Sequence, residues 1–408
     1  MKGEQVVVMT ANPIIELEQD HLVQSYKRPP FVLTHGKGVT LFDSNGNAYT
    51  DWVAGIAVNA LGYADPGLNH ALQEAAGGLI HTSNLYYTAP QAELAAMLVE
   101  KSFADRVFLS NSGTEANEGA IKFARKVAKD SGQPDKTKIV AFSHAFHGRT
   151  MGSLALTPKE KYQAPFQPLL PDVEIIEFND IAAAESAIDD RTCAVFVEPV
   201  QGEGGIHAAA TEFLQALRRL CDQHNALLIF DEIQCGLGRT GTLWAYEHSG
   251  VIPDIMTLAK PLAGGLPAGA ILTTEEVASH IHPGDHGTTF GGGPFVTSVA
   301  CYVVDRISQP EFLEHVAEVG NYLMDRLSEI NSPLIVDVRG RGLMVGLELS
   351  VDVSAIITAG YEHGLLMVNA GTNIIRFVPP LIVDKPQVDT LVETLTAILA
   401  EQGEQTNG

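Results

Sequence analysis

The sequence predicts an α/β fold, a large doubly wound, mostly parallel sheet with a smaller α+β unit beside it. Two patterns carry that expectation. Between about Gly62 and about Thr297, short strand-like runs alternate with helix-like ones, the order that builds a parallel sheet with helices on both faces. Within that span, Ala226-Leu-Leu-Ile-Phe and Ile255-Met-Thr-Leu-Ala are apolar without alternation. Each stops at a charge, Asp231 and Lys260, as strands covered on both faces do.

Ahead of that region, Gly38-Val-Thr-Leu-Phe-Asp43, the turn pair Asn45-Gly46 and Ala48-Tyr-Thr-Asp51-Trp52 read as a hairpin. Strands are then expected at Val107–Leu109, Lys138–Phe142, Cys193–Glu198, Leu227–Phe230 and Ala268–Leu272. Helices fall between them at Glu115–Lys129 and Thr211–Asn225. After about Ala300 a long helical stretch leads to a strand at Arg341–Glu348 and a helix at Val353–His363 stopped by Gly364. Further strands follow at Leu365–Val368 and Ile374–Val378. The expected division is a large domain over 62–300 and a small domain built from 1–61 and 301–408, with the N-terminal hairpin packing near the C-terminal unit. Glu401–Gly408 reads as a frayed polar tail.

The 408 residues, 45% hydrophobic and 18% charged, suffice for a sizeable core and are not of disordered composition. A formal net charge of −23, from 26 basic and 49 acidic side chains, argues against nucleic acid and anionic membranes as partners. No apolar stretch approaches membrane-spanning length. The opening Met1–Met9 lacks the basic flank, long apolar region and cleavage site of a secretory leader, so the expected location is cytoplasmic. Cys193, Cys221, Cys235 and Cys301 form neither a CxxC pair nor a zinc spacing and read as reduced thiols, Cys235 as a buried filler.

Open α/β sheets place chemistry where their strands end. Asp231 and Lys260 are an acid and an amine at two such ends. A buried carboxylate needs a partner, and a desolvated lysine has a lowered pKa and can form a Schiff base with a carbonyl. The cofactor that needs both groups is pyridoxal phosphate, whose aldehyde takes a lysine and whose ring nitrogen takes an acid. The plain alternatives are a helix cap or ion pair for Asp231 and a surface loop for Lys260. The apolar run before Lys260 favours burial.

Other segments fit around these two. Ser112-Gly113-Thr114 follows a strand and opens a helix, a place for a phosphate, although Ser112 and Glu115 also form a capping-box spacing. Phe146 could stack on a planar ring and Arg149 could bind a carboxylate. His144 and His147 have a His-x-x-His spacing without a nearby acid, and no metal site is expected. Glu203 lies in a Gly-rich loop, free to meet a ligand or to be a surface acid. The loop His286–Pro294, with Thr288 and Thr289, could complete a phosphate cradle. Arg376 sits in an apolar strand, where alternation alone puts it on an exposed face unless it is held for a carboxylate. Gly236, Gly238 and Gly241 match a dinucleotide-binding spacing. Asp231–Gln234 intervenes after the strand, however, and no clear helix follows, which excludes NAD.

In chain order, seven motifs now stand together. They are Asn111-Ser-Gly-Thr-Glu-Ala-Asn-Glu118, Phe146-His-Gly-Arg-Thr150, Glu198-Pro-Val-Gln-Gly-Glu-Gly-Gly205, Phe230-Asp-Glu-Ile-Gln-Cys-Gly-Leu-Gly-Arg-Thr-Gly241, Leu258-Ala-Lys260, His286-Gly-Thr-Thr-Phe-Gly-Gly292 and Arg376-Phe-Val-Pro-Pro-Leu381. From about Tyr26 to about Ile398 the chain resembles the class III pyridoxal-phosphate aminotransferases, of fold type I. The resemblance implies that Lys260 carries the cofactor and moves the substrate proton, Asp231 pairs with the ring nitrogen and Gln234 lies near the ring hydroxyl. It implies that Ser112, Gly113 and Thr114 hold the phosphate, with Thr289 supplied by the other subunit of a homodimer whose active sites lie at the interface. Phe146 would stack on the ring. Arg149 and Arg376 would take substrate carboxylates, with Thr288 beside the substrate. Glu203 would pair with Arg376 in one half-reaction and release it in the other.

Two departures are visible. The class usually has Gly-Gly-Asn-Pro where this chain has Gly293 before Pro294. It often has Gly-His-x-His-Pro where this chain has Gly62-Tyr63-Ala-Asp65-Pro66. Within the class the likeness is to the acetylornithine branch. That implies transfer of the terminal amino group of N2-acetylornithine to 2-oxoglutarate by a ping-pong route, in arginine synthesis. The alternative donors are ornithine, succinylornithine, 4-aminobutyrate and a carrier-bound lysine. An acidic carrier would want a basic rim, which the net charge disfavours. A glutamate-semialdehyde aminomutase is the alternative reaction, disfavoured by the Glu203 and Arg376 pair. A ligand-sensing regulator is the non-enzymatic alternative and would need an added DNA-binding module.

Overall fold

The computed structural model describes residues 12–406. Its central sheet has seven strands: β1 (Arg106–Ser110), β2 (Lys138–Phe142), β3 (Val173–Ile176), β4 (Thr192–Val197), β5 (Leu227–Asp231), β6 (Ile255–Leu258) and β7 (Gly269–Thr273). Their spatial order is β1-β7-β6-β5-β4-β2-β3. Every neighbouring pair from β6 to β3 is parallel, and β7 runs antiparallel to both β6 and β1. Every residue of β4 is buried, as continuous apolar runs require when helices cover both faces.

The helix Gly113–Asp130 packs across β7, β6 and β4. It buries Ala116, Ala120, Phe123 and Ala124, residues three and four apart along one stripe. The helix Thr211–His224 packs on β5 and β4. It ends where Asn225, with φ +51°, takes the left-handed conformation that asparagine tolerates.

Two four-stranded sheets lie outside, besides a two-stranded one of Val200–Gln201 and His207–Ala208. One is antiparallel, built from Ile335–Arg341, Met344–Leu349, Ile374–Phe377 and Val368–Asn369. The other joins both ends of the chain. Leu33–Lys37, Thr40–Asp43 and Ala48–Asp51 form an antiparallel meander, and Leu365–Leu366 adds in parallel beside Ala48–Asp51. The N-terminal hairpin thus meets the C-terminal unit through main-chain hydrogen bonds.

Several local expectations change. Arg341–Glu348 is not one strand. Gly342, φ +54°, turns the chain between two strands, and a Cβ there would sit 2.5 Å from the Thr240 carbonyl carbon. Leu365–Val368 splits between two sheets. The helix Lys385–Thr406 extends past Glu401 into the segment read as a polar tail; burial of Leu395, Ile398 and Leu399 carries that helix. The short strand β3 and the helices Pro66–Ala76 and Ala89–Glu100 have no counterpart in the sequence reading. Met1–Ala11, on which the leader reading rested, and Asn407–Gly408 lie outside the described residues. Among the described residues, no helix is long and apolar enough to cross a membrane.

Candidate active site

The C-terminal ends of β4, β5 and β6 and the start of the helix Gly113–Asp130 open on one cavity of about 490 Å³. Asp231 ends β5 at only 3% exposure. A carboxylate buried that far needs partners, and it has three. Oδ2 accepts from Asn117 Nδ2 at 2.8 Å and lies 2.8 Å from His147 Nδ1; Oδ1 accepts from the Ile233 amide at 3.0 Å. Asn117 is fully buried on the otherwise apolar face of its helix. His147 packs edge-on against Phe196, and its amide donates to Thr157 Oγ1 at 2.9 Å.

Lys260 follows β6 and opens the 3-10 turn Lys260–Ala263 with φ +32°. A side-chain-bearing residue in that region is strained, and such strain collects at functional sites. Desolvation lowers its amine pKa and Arg376 adds to the effect, while Glu203, Asp231 and Glu198 partly offset it.

Ser112 caps the helix. Its Oγ accepts from the Glu115 amide at 3.3 Å, and Glu115 Oε2 accepts from the Asn111 amide at 2.6 Å, a capping box displaced by one residue. The first amides of a helix have no intrahelical acceptor and sit at the positive end of its dipole. Gly113 and Thr114, at that end, line the cavity. Gly148, φ +137°, lies against Thr114; a Cβ there would be 2.3 Å from Thr114 Oγ1 and would crowd this corner.

The remaining candidates divide. Phe146, Arg149 and Gln234 line the cavity. Arg149 is exposed, with its guanidinium 3.6 Å from the Tyr162 ring centroid and 5.7 Å from that of Phe146. Arg376 corrects the alternation argument. Its strand is covered on both faces, and Arg376 is 1% exposed. Its Nη1 donates to Glu203 Oε1 at 2.5 Å and to Gln234 Oε1 at 3.2 Å, which brings the ion pair to the cavity edge. Burial pushes the Glu203 carboxyl up, but Arg376, with help from Lys260 and Lys159, holds it below its usual range. Thr288 and Thr289 do not line this cavity. Thr288 Oγ1 accepts from Asn111 Nδ2 at 3.0 Å and from the Gly291 amide at 3.2 Å, and Thr289 is exposed.

Sequence reasoning missed four residues here. Asn117 and His147 hold Asp231. Glu198 lines the cavity beside them, taking the Phe146 amide on Oε2 at 3.1 Å and the Gly202 amide on Oε1 at 3.4 Å. Burial pushes its carboxyl up to about 7, against the pull of His147. Glu198 follows an apolar strand just as Asp231 ends one, and Asn117 breaks an apolar stripe, so both left a trace in the sequence. Val58, the fourth, follows a single left-handed turn, Ala54–Ala57, with φ of +50°, +64°, +65° and +61°. Three of those residues carry a Cβ, which costs roughly 1–2 kcal/mol each.

A doubly wound sheet whose strand ends bring a lysine and an acid to one cavity defines a fold type I pyridoxal-phosphate enzyme. Residues 22–399 match the family model Aminotransferase class-III, and the chain belongs to that family. It is 54% identical to acetylornithine aminotransferase, mitochondrial, of Alnus glutinosa over 388 residues, 93% of this chain and 85% of that one. Among solved structures, ornithine aminotransferase from Toxoplasma gondii matches with a TM-score of 0.93 at 31% identity, covering 98% of this chain and 97% of the other. N-acetylornithine aminotransferase from Stenotrophomonas maltophilia matches with a TM-score of 0.82 at 40% identity, covering 96% and 100%.

The cofactor is pyridoxal phosphate, and the residues present fit it. The corner beside Gly148 leaves two helix-start residues open to the cavity, a buried acid lines its wall, and a lysine of lowered pKa lines it too.

Proposed function

We propose that the chain transfers the terminal amino group of N2-acetylornithine to 2-oxoglutarate, the step in arginine synthesis that yields N-acetylglutamate 5-semialdehyde and glutamate. When bound, the cofactor supplies an electron sink that lets a carbon-bound proton leave. Lys260 carries the cofactor and moves that proton, since burial lowers its pKa and favours the neutral amine that can act as a base. Asp231 holds the ring nitrogen, oriented by Asn117 and His147. Ser112, Gly113 and Thr114 hold the phosphate, Phe146 covers the ring, and Gln234 lies by the ring hydroxyl. Arg149 and Arg376 take carboxylates, with Thr288 beside the substrate. Glu203 covers Arg376 while the donor is bound and leaves it when the dicarboxylate arrives, so the two substrates share one cavity.

One observation carries the choice of donor. Among the described residues lining the cavity the acids are Glu198 and Asp231, and both are already hydrogen-bonded to protein donors, while Glu203 at the edge holds Arg376. A free α-ammonium, as in ornithine, meets no unengaged carboxylate; an acetylated nitrogen needs none. The test is a single-turnover panel read at the visible band of the holoenzyme. N-acetylornithine should bleach it at least about tenfold faster than ornithine, the effect of one unmet ionic contact, and should also outrun 4-aminobutyrate. Equal or reversed rates remove this donor and leave the class. In the same panel Glu203→Gln should lower the KM for 2-oxoglutarate by about tenfold, because Arg376 is no longer covered; an unchanged KM removes the switching role.

The same reading makes the protein a cytoplasmic homodimer with active sites at the interface. Leu79, Ile80, Leu85, Tyr86, Tyr87 and Phe290 expose large apolar side chains. They adjoin the Thr288 loop, since Asn84 Nδ2 donates to the carbonyls of Thr288 at 3.1 Å and Gly291 at 3.0 Å. An apolar surface of that kind favours a second copy, with Thr289 reaching the other site. The four free cysteines suit a reducing compartment. Sedimentation that finds a monomer at working concentration removes the dimer and the role of Thr289; recovery of the protein in an organelle fraction removes the cytoplasm.

A further inference from the structure

The turn at Ala54–Ala57 is one turn of left-handed helix. The Ala57 amide donates to the Val53 carbonyl at 2.9 Å, and the Val58 and Asn59 amides donate to the Ala54 carbonyl at 2.8 and 2.9 Å. Nothing in Ala-Gly-Ile-Ala asks for that hand, since glycine alone adopts it freely. What holds it is a buried clasp. Asp51 Oδ1 accepts from the Val53 amide at 2.8 Å and the Ala54 amide at 3.0 Å, at the mouth of the turn. Asp51 Oδ2 accepts from the Tyr63 hydroxyl at 2.5 Å, and that hydroxyl accepts from Asn59 Nδ2 at 3.3 Å, at the exit. Tyr63 is fixed in turn, since its amide and the Gly38 amide each donate to the other's carbonyl at 2.8 Å. Burial, then Asp51, raises the Tyr63 pKa, so the hydroxyl stays a donor.

The clasped turn faces the site on two sides. Val58, at its exit, lines the cavity, as do Gly265 and Leu266. Both flanks are tied to the segment that follows Arg376: the Val378 amide donates to the Trp52 carbonyl at 2.9 Å, and the Leu381 amide to the Ala60 carbonyl at 2.7 Å.

We propose that Asp51 and Tyr63 are positioning residues for amino-donor specificity: they hold the left-handed turn Ala54–Ala57, which sets Val58 on the cavity wall in fixed register with Arg376. This rests on reading the cavity as the donor site. A loosened turn lets the wall drift, so the donor binds less well while the groups that hold the cofactor, which come from other elements, stay in place.

The experiment uses the holoenzyme and whichever donor ranks first in the panel, so it reports on the clasp even where N-acetylornithine is not that donor. Tyr63→Phe should raise the donor KM about tenfold while kcat changes by less than about threefold, with the cofactor absorption band unmoved. Ala57→Gly removes one of the three Cβ atoms that make the turn depend on the clasp, so Tyr63→Phe with Ala57→Gly should return the KM part of the way toward that of the wild type. If Tyr63→Phe does not fold, Asn59→Ala, which opens only the exit side, carries the same expectation. A wild-type donor KM in Tyr63→Phe overturns the proposal. So does a double variant that regains melting temperature but not KM, because the turn then matters to stability alone.

Discussion

Lys260→Ala is expected to fold and to lose turnover by about 10⁴-fold, the upper range for removal of a proton-transferring group. The fold should survive because Lys260 is half-buried, opens a turn outside the sheet and forms no ion pair among the described residues. Its loss also relieves a positively charged group from a desolvated place. Turnover should not survive, because no other amine lines the cavity among the described residues: of the other bases there, Arg149 is too basic to give up a proton, and His147 is committed to Asp231. The check has two arms. Half-reaction rates should collapse for donor and acceptor alike. The cofactor, fixed to the wild type by borohydride so that it survives denaturation, should wash out of the variant. A variant that keeps turnover within tenfold, or still retains the label, removes Lys260 from the chemistry.

The contrast between Lys260 and its neighbours shows what a sequence reveals here. Asp231 and Lys260 stood out because each closes a run of apolar residues, and only a strand covered on both faces explains such a run. Arg376 was misjudged because alternation, not burial on both faces, was applied to its shorter run. Two-residue alternation presumes one wet face, and its strand has none, because neighbouring strands, Glu203 and Gln234 enclose it. The pairing of Asn117 and His147 with Asp231 was invisible for another reason. They meet Asp231 from 114 and 84 residues away, a closure that no local pattern encodes. The left-handed turn is the extreme case. Propensity argues against it, and the contacts that favour it, those of Asp51 and Tyr63 among them, are made after the chain has folded back. Gly342 is intermediate, since a glycine just ahead of a short apolar run was compatible with either a continuous strand or the tight turn that Arg239 and Thr240 impose by their closeness.

Asp231→Asn is expected to reduce turnover by about 10³-fold, in line with the ~3–5 kcal/mol that breaking one side of a buried ionic partnership costs. The substitution keeps the shape of the side chain and removes its charge, so what it probes is electrostatic. Its hydrogen bonds show where it fails. The amide oxygen can take the place of Oδ2 and accept from Asn117 Nδ2 and from His147. The amide nitrogen then falls at Oδ1, where the Ile233 amide also donates, and two donors face each other. The opposite flip is worse, because it sets the nitrogen against Asn117 Nδ2 as well as His147. The variant should therefore melt lower, by the ~1–3 kcal/mol of one unpaired buried amide, and that loss must be separated from the catalytic one. Rates measured well below the melting transition, with saturating cofactor, make the separation. If the rate recovers fully under those conditions, Asp231 serves only to hold β5 and its neighbours together. If the deficit persists while the folded fraction is complete, the missing quantity is the negative charge on the cavity wall, and the three groups that orient Asp231 are there to aim it.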